Sequence, residues 1–234
     1  MDARRALSFG SAAAQYDAAR PSYPPDAVRW AVGDATRVLD LGAGTGKLTR
    51  VVLDLGLDAV AVEPDDAMRA LIPAESHDGT AEAIPLADES VDAVVVGQAF
   101  HWFNPTRAIP EMLRVLRPGG RIGLFWNLYD DGVDWVASLC DLCEAEARVT
   151  LAKEAGTPPF DGSAWGTSEP EVRQVPHEQP MNRELLATQL RSTSKFILMA
   201  EPAREALVAR VLAVAPGDEF VLPHVCQVWR ATKP

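Results

Sequence analysis

Three things are scarce in this chain of 234 residues. Cysteine is the first: Cys140, Cys143 and Cys226 cannot build a disulfide framework, which fits a reducing compartment. Long apolar runs are the second. No stretch approaches the ~20 residues that cross a bilayer, and Asp2, Arg4 and Arg5 stand where a secretory leader would turn apolar, so a cytoplasmic protein without membrane insertion is expected. Positive charge is the third: 22 Lys and Arg against 33 Asp and Glu leave a net charge of -11, a field that repels nucleic-acid phosphates and anionic lipid headgroups. The densest basic stretch, Arg114, Arg117 and Arg121, straddles a helix end, where positive charge suits the dipole. Cys140 and Cys143 form a lone C-x-x-C pair in a helical pattern and read as packing. His77, His177 and His224 are scattered without metal-ligand spacing, so no metal is expected.

From about Thr36 to Trp126 apolar runs alternate with helical patterns, the signature of strand, crossover helix and parallel strand. Strands are expected at Arg37–Leu41, Asp58–Val62, Val91–Val96 and Arg121–Trp126. Helices are expected at Thr45–Leu55, Asp65–Leu71 and Pro105–Leu116, the last stopped by Pro118-Gly119-Gly120. Beyond Asn127 the rhythm changes: a helix from about Asp134 to Lys153, then a loop or lid from Gly156 to Pro170. A strand at Val172–His177, helices at Arg183–Leu190 and Pro202–Val214, and closing strand material at Asp218–Ala231, interrupted at Pro223, complete the chain.

The strongest local signal is Val38-Leu-Asp-Leu-Gly-Ala-Gly-Thr-Gly-Lys-Leu-Thr49, where Gly42, Gly44 and Gly46 join a buried strand to a helix. Without Cβ atoms such a bend lets a ligand approach the main chain, outside the carboxyl end of the strand. A dinucleotide fingerprint would need glycine where Lys47 stands, and a phosphate-cradling loop would need Ser or Thr where Leu48 stands. Asp40 opposes a pyrophosphate and suits an ammonium group. Glu63 closes the second strand, where a carboxylate can accept hydrogen bonds from both hydroxyls of a ribose; taken alone it reads equally well as a cap of the following helix. Together they describe a ligand with a ribose, a cationic amino-acid part and no phosphate.

At these residues the chain resembles the class I S-adenosylmethionine-dependent methyltransferases, in the branch holding the ubiquinone and menaquinone C-methyltransferases and trans-aconitate methyltransferase. The resemblance covers roughly residues 7 to 126. It is carried by Asp40-Leu-Gly-Ala-Gly-Thr-Gly46, Val62-Glu63-Pro64, Gly79-Thr-Ala-Glu-Ala-Ile-Pro-Leu86, Gly97-Gln-Ala-Phe-His-Trp-Phe103 and Leu113-Arg-Val-Leu-Arg-Pro-Gly-Gly120. It implies an α/β fold: a doubly wound, mostly parallel, seven-stranded Rossmann-like sheet with an antiparallel last strand and late helical cover. It also implies S-adenosylmethionine as cofactor, with the methionine part over Gly42, Ala43 and Gly44, the ribose on Glu63, and adenine between Met68 and Ala81-Glu82. Thr80 departs from relatives that carry Asp there, which leaves the adenine contact to the backbone and to Glu82. The stretch Phe9 to Pro24 resembles a cofactor-covering arm, in which Tyr16 and Arg20 share a helix face and the Arg20 guanidinium suits the cofactor carboxylate. One domain is expected, with 1–35 as the arm, 36–126 as the cofactor core, 127–216 as cover over an acceptor pocket and 217–234 as the closing strand.

Methyl transfer from a sulfonium is an in-line displacement that needs positioning and exclusion of water before it needs a strong catalytic group. His101 is the candidate base or substrate contact. Tyr16, Tyr23, Trp102 and Trp126 are candidates for an aromatic wall that favours the sulfonium and touches the acceptor, and Gln98 for contact with the cofactor's amino-acid part. The acceptor expected is a small molecule methylated on oxygen rather than carbon or nitrogen, by a monomer or homodimer. The rival readings are a catalytically silent cofactor-binding module and an NAD-dependent oxidoreductase, the latter disfavoured by Lys47.

Overall fold

The computed structural model describes residues 17, 19–145, 147–149, 161–162 and 166–234. In chain order the elements are α1 (Pro25–Val32), β1 (Arg37–Leu41), α2 (Lys47–Asp54), β2 (Asp58–Val62), α3 (Asp66–Arg69), β3 (Glu75–His77), β4 (Val91–Gly97), a 3-10 turn (Phe100–Trp102), α4 (Pro105–Val115), β5 (Leu116–Tyr129), α5 (Asp134–Cys143), β6 (Glu171–Asn182), α6 (Arg183–Arg191), α7 (Ser194–Ile197), α8 (Glu201–Val214) and β7 (Glu219–Thr232). The strands form one sheet in the order β3-β2-β1-β4-β5-β7-β6. β1 to β5 are parallel, and β7 lies antiparallel between β5 and β6.

Strand alternation sorts the side chains onto two faces. Leu39, Leu41, Val60, Val94 and Leu124 point to the face covered by Ile109 and Met112 of α4. Val38, Ala93, Val95, Phe125 and Val228 point to the other, against Val28 and Ala31 of α1 and Leu48 and Val52 of α2. A third apolar cluster forms where Val136, Leu139, Leu186, Leu190, Val208 and Val211 of the late helices pack on Met181 and Leu222, near the carboxyl end of β6 and the start of β7. Among the described residues no helix is long and apolar enough to cross a membrane.

The parallel core follows the expected spans, whereas the later elements differ for local reasons. The helix expected to reach Lys153 stops at Cys143, because Glu144 turns left-handed and the Ala145 amide bonds back to the Cys140 carbonyl. Pro118-Gly119-Gly120 do not separate α4 from a strand beginning at Arg121. Leu116 already pairs with Val91, and the ladder resumes at Ala93 and Arg121, which leaves the three residues as a bulge. β6 runs past His177 to Asn182 and tolerates Pro176 and Pro180 because it is an edge strand. β7 is continuous through Pro223, which pairs with Glu178 just beyond the last β5 partner, His224. β3 had no counterpart in the sequence pattern, since Glu75-Ser76-His77 is too short and polar to show one. Of the loop expected over Gly156–Pro170, positions 156–160 and 163–165 lie outside the described residues.

The amino-terminal ends of the central strands are clamped by Asp92. Its Oδ2 accepts from the Thr36 amide (3.0 Å), the Thr36 hydroxyl (2.7 Å) and the Arg37 amide (2.9 Å), while Oδ1 accepts from the Arg117 guanidinium (2.5 Å). Partial burial works against the charge, but these donors outweigh it and hold the carboxyl well below the usual carboxylate range. A group with a depressed folded-state pKa stabilises the fold above its unfolded value near pH 4, and this contribution is lost as pH falls toward the folded value. Asp92→Asn is expected to cost about 1–3 kcal/mol at pH 7 and to flatten the acid limb of a urea-denaturation series between about pH 4 and pH 2; a variant as stable as the parent at pH 7 would refute the clamp.

Candidate active site

At the end of β1 the chain leaves the sheet at Gly42, whose amide donates to the Val62 carbonyl of β2 at 2.8 Å; the Ala43 amide shares that acceptor at 3.2 Å. The crossing over β2 requires positive φ at Gly42 (68°), Gly44 (57°) and Gly46 (80°), the left-handed region open to glycine. Close approach is a second constraint: a Cβ on Gly42 would stand 3.0 Å from the Ala99 Cβ and 3.2 Å from the Phe103 ring. At Gly44 it would meet only Met68 Sδ, at 4.0 Å, so that surface of the bend has room for a ligand.

Two buried carboxylates flank the bend. Glu63, at the end of β2, accepts from the Gly44 amide at Oε2 (2.8 Å) and from the Asp65 amide at Oε1 (2.9 Å). Burial pushes its carboxyl above the usual range, against the pull of those two amides, and each oxygen keeps a further lone pair. The helix after it is capped by Asp65, which accepts from the Ala67 and Met68 amides, so Glu63 is not the cap of that helix. Asp40 faces α2 because it shares the parity of Val38. Its Oδ2 accepts from the Thr49 hydroxyl at 2.6 Å, while Oδ1 is enclosed with no donor among the described residues. Burial raises the Asp40 carboxyl to about 7. A buried acceptor without a donor is costly, and a ligand bringing an N–H or O–H group resolves it. The bend, the spare capacity of Glu63 and the orphaned Asp40 oxygen together fit a cationic, hydroxyl-bearing ligand.

The stretch before α1 crosses this end of the sheet. Asp17 accepts from the Thr45 hydroxyl at 2.6 Å and pairs with Arg50 at 3.1 Å, the Ala19 carbonyl takes Gln179 Nε2 at 3.0 Å, and the Ser22 carbonyl takes Asn127 Nδ2 at 3.0 Å. Arg20 is thereby carried over the carboxyl edge; Tyr16 lies outside the described residues. Tyr23 packs edge-on against Phe125, centroids 5.8 Å apart, and its hydroxyl sits where a Cβ of residue 97 would be, so Gly97 is needed to admit it. Gln98 takes a positive φ of 56° and donates from Nε2 to the Asn127 carbonyl at 3.1 Å, so its amide nitrogen holds β4 to β5.

The other candidates sit along the same edge. Met68 and Ala81 are buried near the bend and Pro64 is exposed. Glu82 spends Oε1 on the Asn104 amide at 2.8 Å, anchoring the start of α4. His101 is exposed on the 3-10 turn, its ring 4.7 Å from that of Trp102, with no hydrogen bond among the described residues; Trp126 is half-buried over the α4 face. Cys140 and Cys143 are buried thiols, pushed by burial up to about 12 and about 11, in the helical cluster. Sequence reasoning missed Thr49, the partner of Asp40, and a set on β5, β6 and β7: Asn127, Tyr129, His177, Gln179 and His224. The register pairs His177 with His224, and their rings stack at 5.4 Å. Nothing local in the sequence announces that pairing.

Comparison with known proteins places the chain. A family described as "Methyltransferase domain" matches residues 39–124. An uncharacterized methyltransferase of Mycobacterium tuberculosis is 42% identical over 244 residues, covering 97% of this chain and 96% of that protein. A malonyl-[acyl-carrier protein] O-methyltransferase of Methylococcus capsulatus is 37% identical over 139 residues, covering 50% of this chain and 48% of that protein. Among solved structures, a protein of Anaeromyxobacter dehalogenans assigned to the type II methyltransferases shares the fold with a TM-score of 0.63 at 20% identity, over 92% of this chain and 97% of that one. The chain belongs to the class I S-adenosylmethionine-dependent methyltransferases, an enzyme family whose cofactor is S-adenosylmethionine.

The Asp40 environment has a measurable consequence. A carboxyl whose pKa rises from 3.8 unfolded to about 7 folded holds its proton longer in the fold. Stability of the ligand-free protein therefore falls as pH rises from about 4 to 7 through this group, and the loss is complete above 7. Asp40→Asn removes the penalty while keeping an acceptor for Thr49. The variant is expected to melt higher than the parent at pH 8 without ligand and to gain less from added S-adenosylhomocysteine; a lower melting temperature at pH 8 would contradict the assigned environment.

Proposed function

We propose that the chain methylates an oxygen atom of a small molecule held beside the glycine bend. The observation that carries the cofactor part is the pair of buried carboxylates on neighbouring strands, Asp40 and Glu63, on either side of a glycine-rich bend. Asp40 receives the ammonium of the cofactor, the Gly42, Ala43 and Gly44 main chain lies along its methionine part with Gly46 closing the turn, and Glu63 receives the ribose hydroxyls, with Pro64 following. Met68 and Ala81 flank the base, Glu82 contributing from its remaining oxygen. Arg20, carried in by the arm, faces the cofactor carboxylate. Bound there, S-adenosylmethionine supplies a methyl group on a sulfonium sulfur, open to in-line displacement. The protein's part is to orient the acceptor and keep water away.

The division into arm, core, cover and closing strand fits this reading: the arm is tied to both the bend and β6, and the late helices form a separate apolar cluster beyond the core. Tyr23 supplies aromatic surface on the acceptor side, and Trp126, over the α4 face, closes the crevice to water with Trp102 and His101. His101 has no hydrogen bond among the described residues to set its tautomer. Oxygen is favoured as the acceptor atom because a relative sharing half of this chain is named as an O-methyltransferase.

Titration calorimetry with S-adenosylhomocysteine tests the site. One binding site is expected, with affinity reduced at least tenfold, about 1.4 kcal/mol, in Gly44→Val and in Glu63→Gln. Circular dichroism would confirm that both variants are folded, since the first strains a positive φ and the second gives up one backbone bond. Unchanged affinity in both folded variants would reject these residues.

A further inference from the structure

Between the apolar core under α1 and α2 and the apolar cluster under the late helices, the sheet face turns polar. Going up β5 the side chains on this face are Phe125, Asn127 and Tyr129; on β7, Val228, Cys226 and His224; on β6, Val175, His177 and Gln179. Packing does not require such a belt, because burying polar groups is unfavourable unless every one is satisfied, and here not all are. Gln179 is 8% exposed; its Nε2 is committed to the Ala19 carbonyl, and its Oε1 is enclosed without a donor. Above the belt lies a cavity of about 450 Å³, lined among others by Arg20, Tyr23, Lys47, His177 and Gln179, within the size range of small-molecule sites.

The hydrogen bonds set the proton on His177. The Ser22 carbonyl can only accept, so Asn127 turns Nδ2 to it and presents Oδ1 to His177 Nε2 at 2.9 Å. His177 therefore donates from Nε2, and in the neutral ring Nδ1 is a bare lone pair, neither enclosed nor bonded. The cavity thus offers one acceptor without a donor among the described residues, Nδ1 of His177, together with the Lys47 ammonium. Lys47 has no carboxylate in ion-pair distance among the described residues, and burial lowers its pKa. A carboxylate alone brings no proton to this acceptor, whereas a hydroxyl does.

We infer that this cavity receives the methyl acceptor as a hydroxyl-bearing anion, and that His177 Nδ1 takes the proton of the hydroxyl being methylated. The inference rests on the oxygen-methyl-transfer reading above and names its substrate class. The cavity reaches the bend at Lys47, the residue after Gly46, and its His177 is bonded to Asn127, whose main-chain carbonyl holds Gln98. In the step, the hydroxyl proton passes to Nδ1 and the oxygen–carbon bond forms. The carbon–sulfur bond of the cofactor breaks with its electron pair staying on sulfur, and the imidazolium returns its proton to water at the cavity mouth. Burial holds His177 below the ordinary histidine range, which keeps Nδ1 free at neutral pH. The other charged or titratable groups around it are His224 stacked beneath, lowered by burial to about 4, Tyr129 beside His224, Glu178 on β6, Arg20 on the arm and Lys47 on α2.

The test is calorimetry on full-length protein saturated with S-adenosylhomocysteine, using 4-hydroxybenzoate, benzoate and phenol as probes. 4-Hydroxybenzoate is expected to bind at least tenfold more tightly than either of the others. His177→Gln should reduce that preference below about threefold without changing S-adenosylhomocysteine affinity, and Lys47→Ala should weaken both carboxylates but not phenol. The hydroxyl preference should fade in the parent as pH falls below the ordinary histidine range and show no such step in His177→Gln, which a purely structural histidine would not produce. If His177→Gln fails to fold, His177→Asn carries the test. Benzoate binding as well as 4-hydroxybenzoate, or none of the three binding, overturns the inference while normal S-adenosylhomocysteine binding leaves the methyltransferase reading intact; loss of that binding in the parent is the separate failure of the latter.

Discussion

Everything at the carboxyl edge depends on the two-residue repeat of β1. With Leu39 and Leu41 bound to the α4 face, Val38 and Asp40 must point toward α2. The alternation carries a carboxylate into a region that is otherwise apolar, under the first turn of a helix, with only Thr49 to answer it. Slipping the strand by one residue would only turn Asp40 into the equally apolar α4 face and pull Leu39 and Leu41 out of it, so the core enforces the burial of the charge. The raised pKa of Asp40 and its unanswered oxygen are consequences of core packing, and the ligand completes what packing leaves open.

The parts of the molecule that were legible in the sequence are those whose cause is local. Three glycines with positive φ, a strand of known parity before them and an acid at the next strand end are set within thirty residues of chain by steric rules. The parallel core therefore followed its apolar pattern closely. What was not legible depends on pairing across distance. His177 and His224 are 47 residues apart and become neighbours only because β6 and β7 pair in one register. β6 was expected only as far as His177; its continuation to Asn182 runs through Pro180, which an edge strand tolerates and a sequence pattern reads as interruption. Pro223 misled in the same way. The end of α5 turned on one left-handed residue, Glu144, that carries no glycine to announce it.

The reach of the single domain comes from the antiparallel extension. Five parallel strands alone would end at β5, with the cofactor crevice at its edge and nothing beyond. β7 and β6 continue the same face for two more strands, and that added width separates two apolar clusters and leaves room between them for polar side chains. The arm then lies across the junction, held by main-chain carbonyls that accept from Asn127 and Gln179. Carbonyls rather than side chains make these ties, so the arm fixes the amide orientation of both residues whatever its own sequence.

Asn127 joins the two halves. Its main-chain carbonyl takes Gln98 from the cofactor side, its Nδ2 holds the arm at Ser22 and its Oδ1 sets the proton of His177 on the acceptor side. An in-line displacement is sensitive to small errors in the separation and angle of its partners. Two sites built on separate loops would each add their own motion to that error. One buried residue on β5, bonded to Gln98 after β4, to the arm and to β6, holds all three in a common frame where the apolar pattern of β5 would otherwise continue, the kind of frame that a proposed donor and acceptor on its two sides would share.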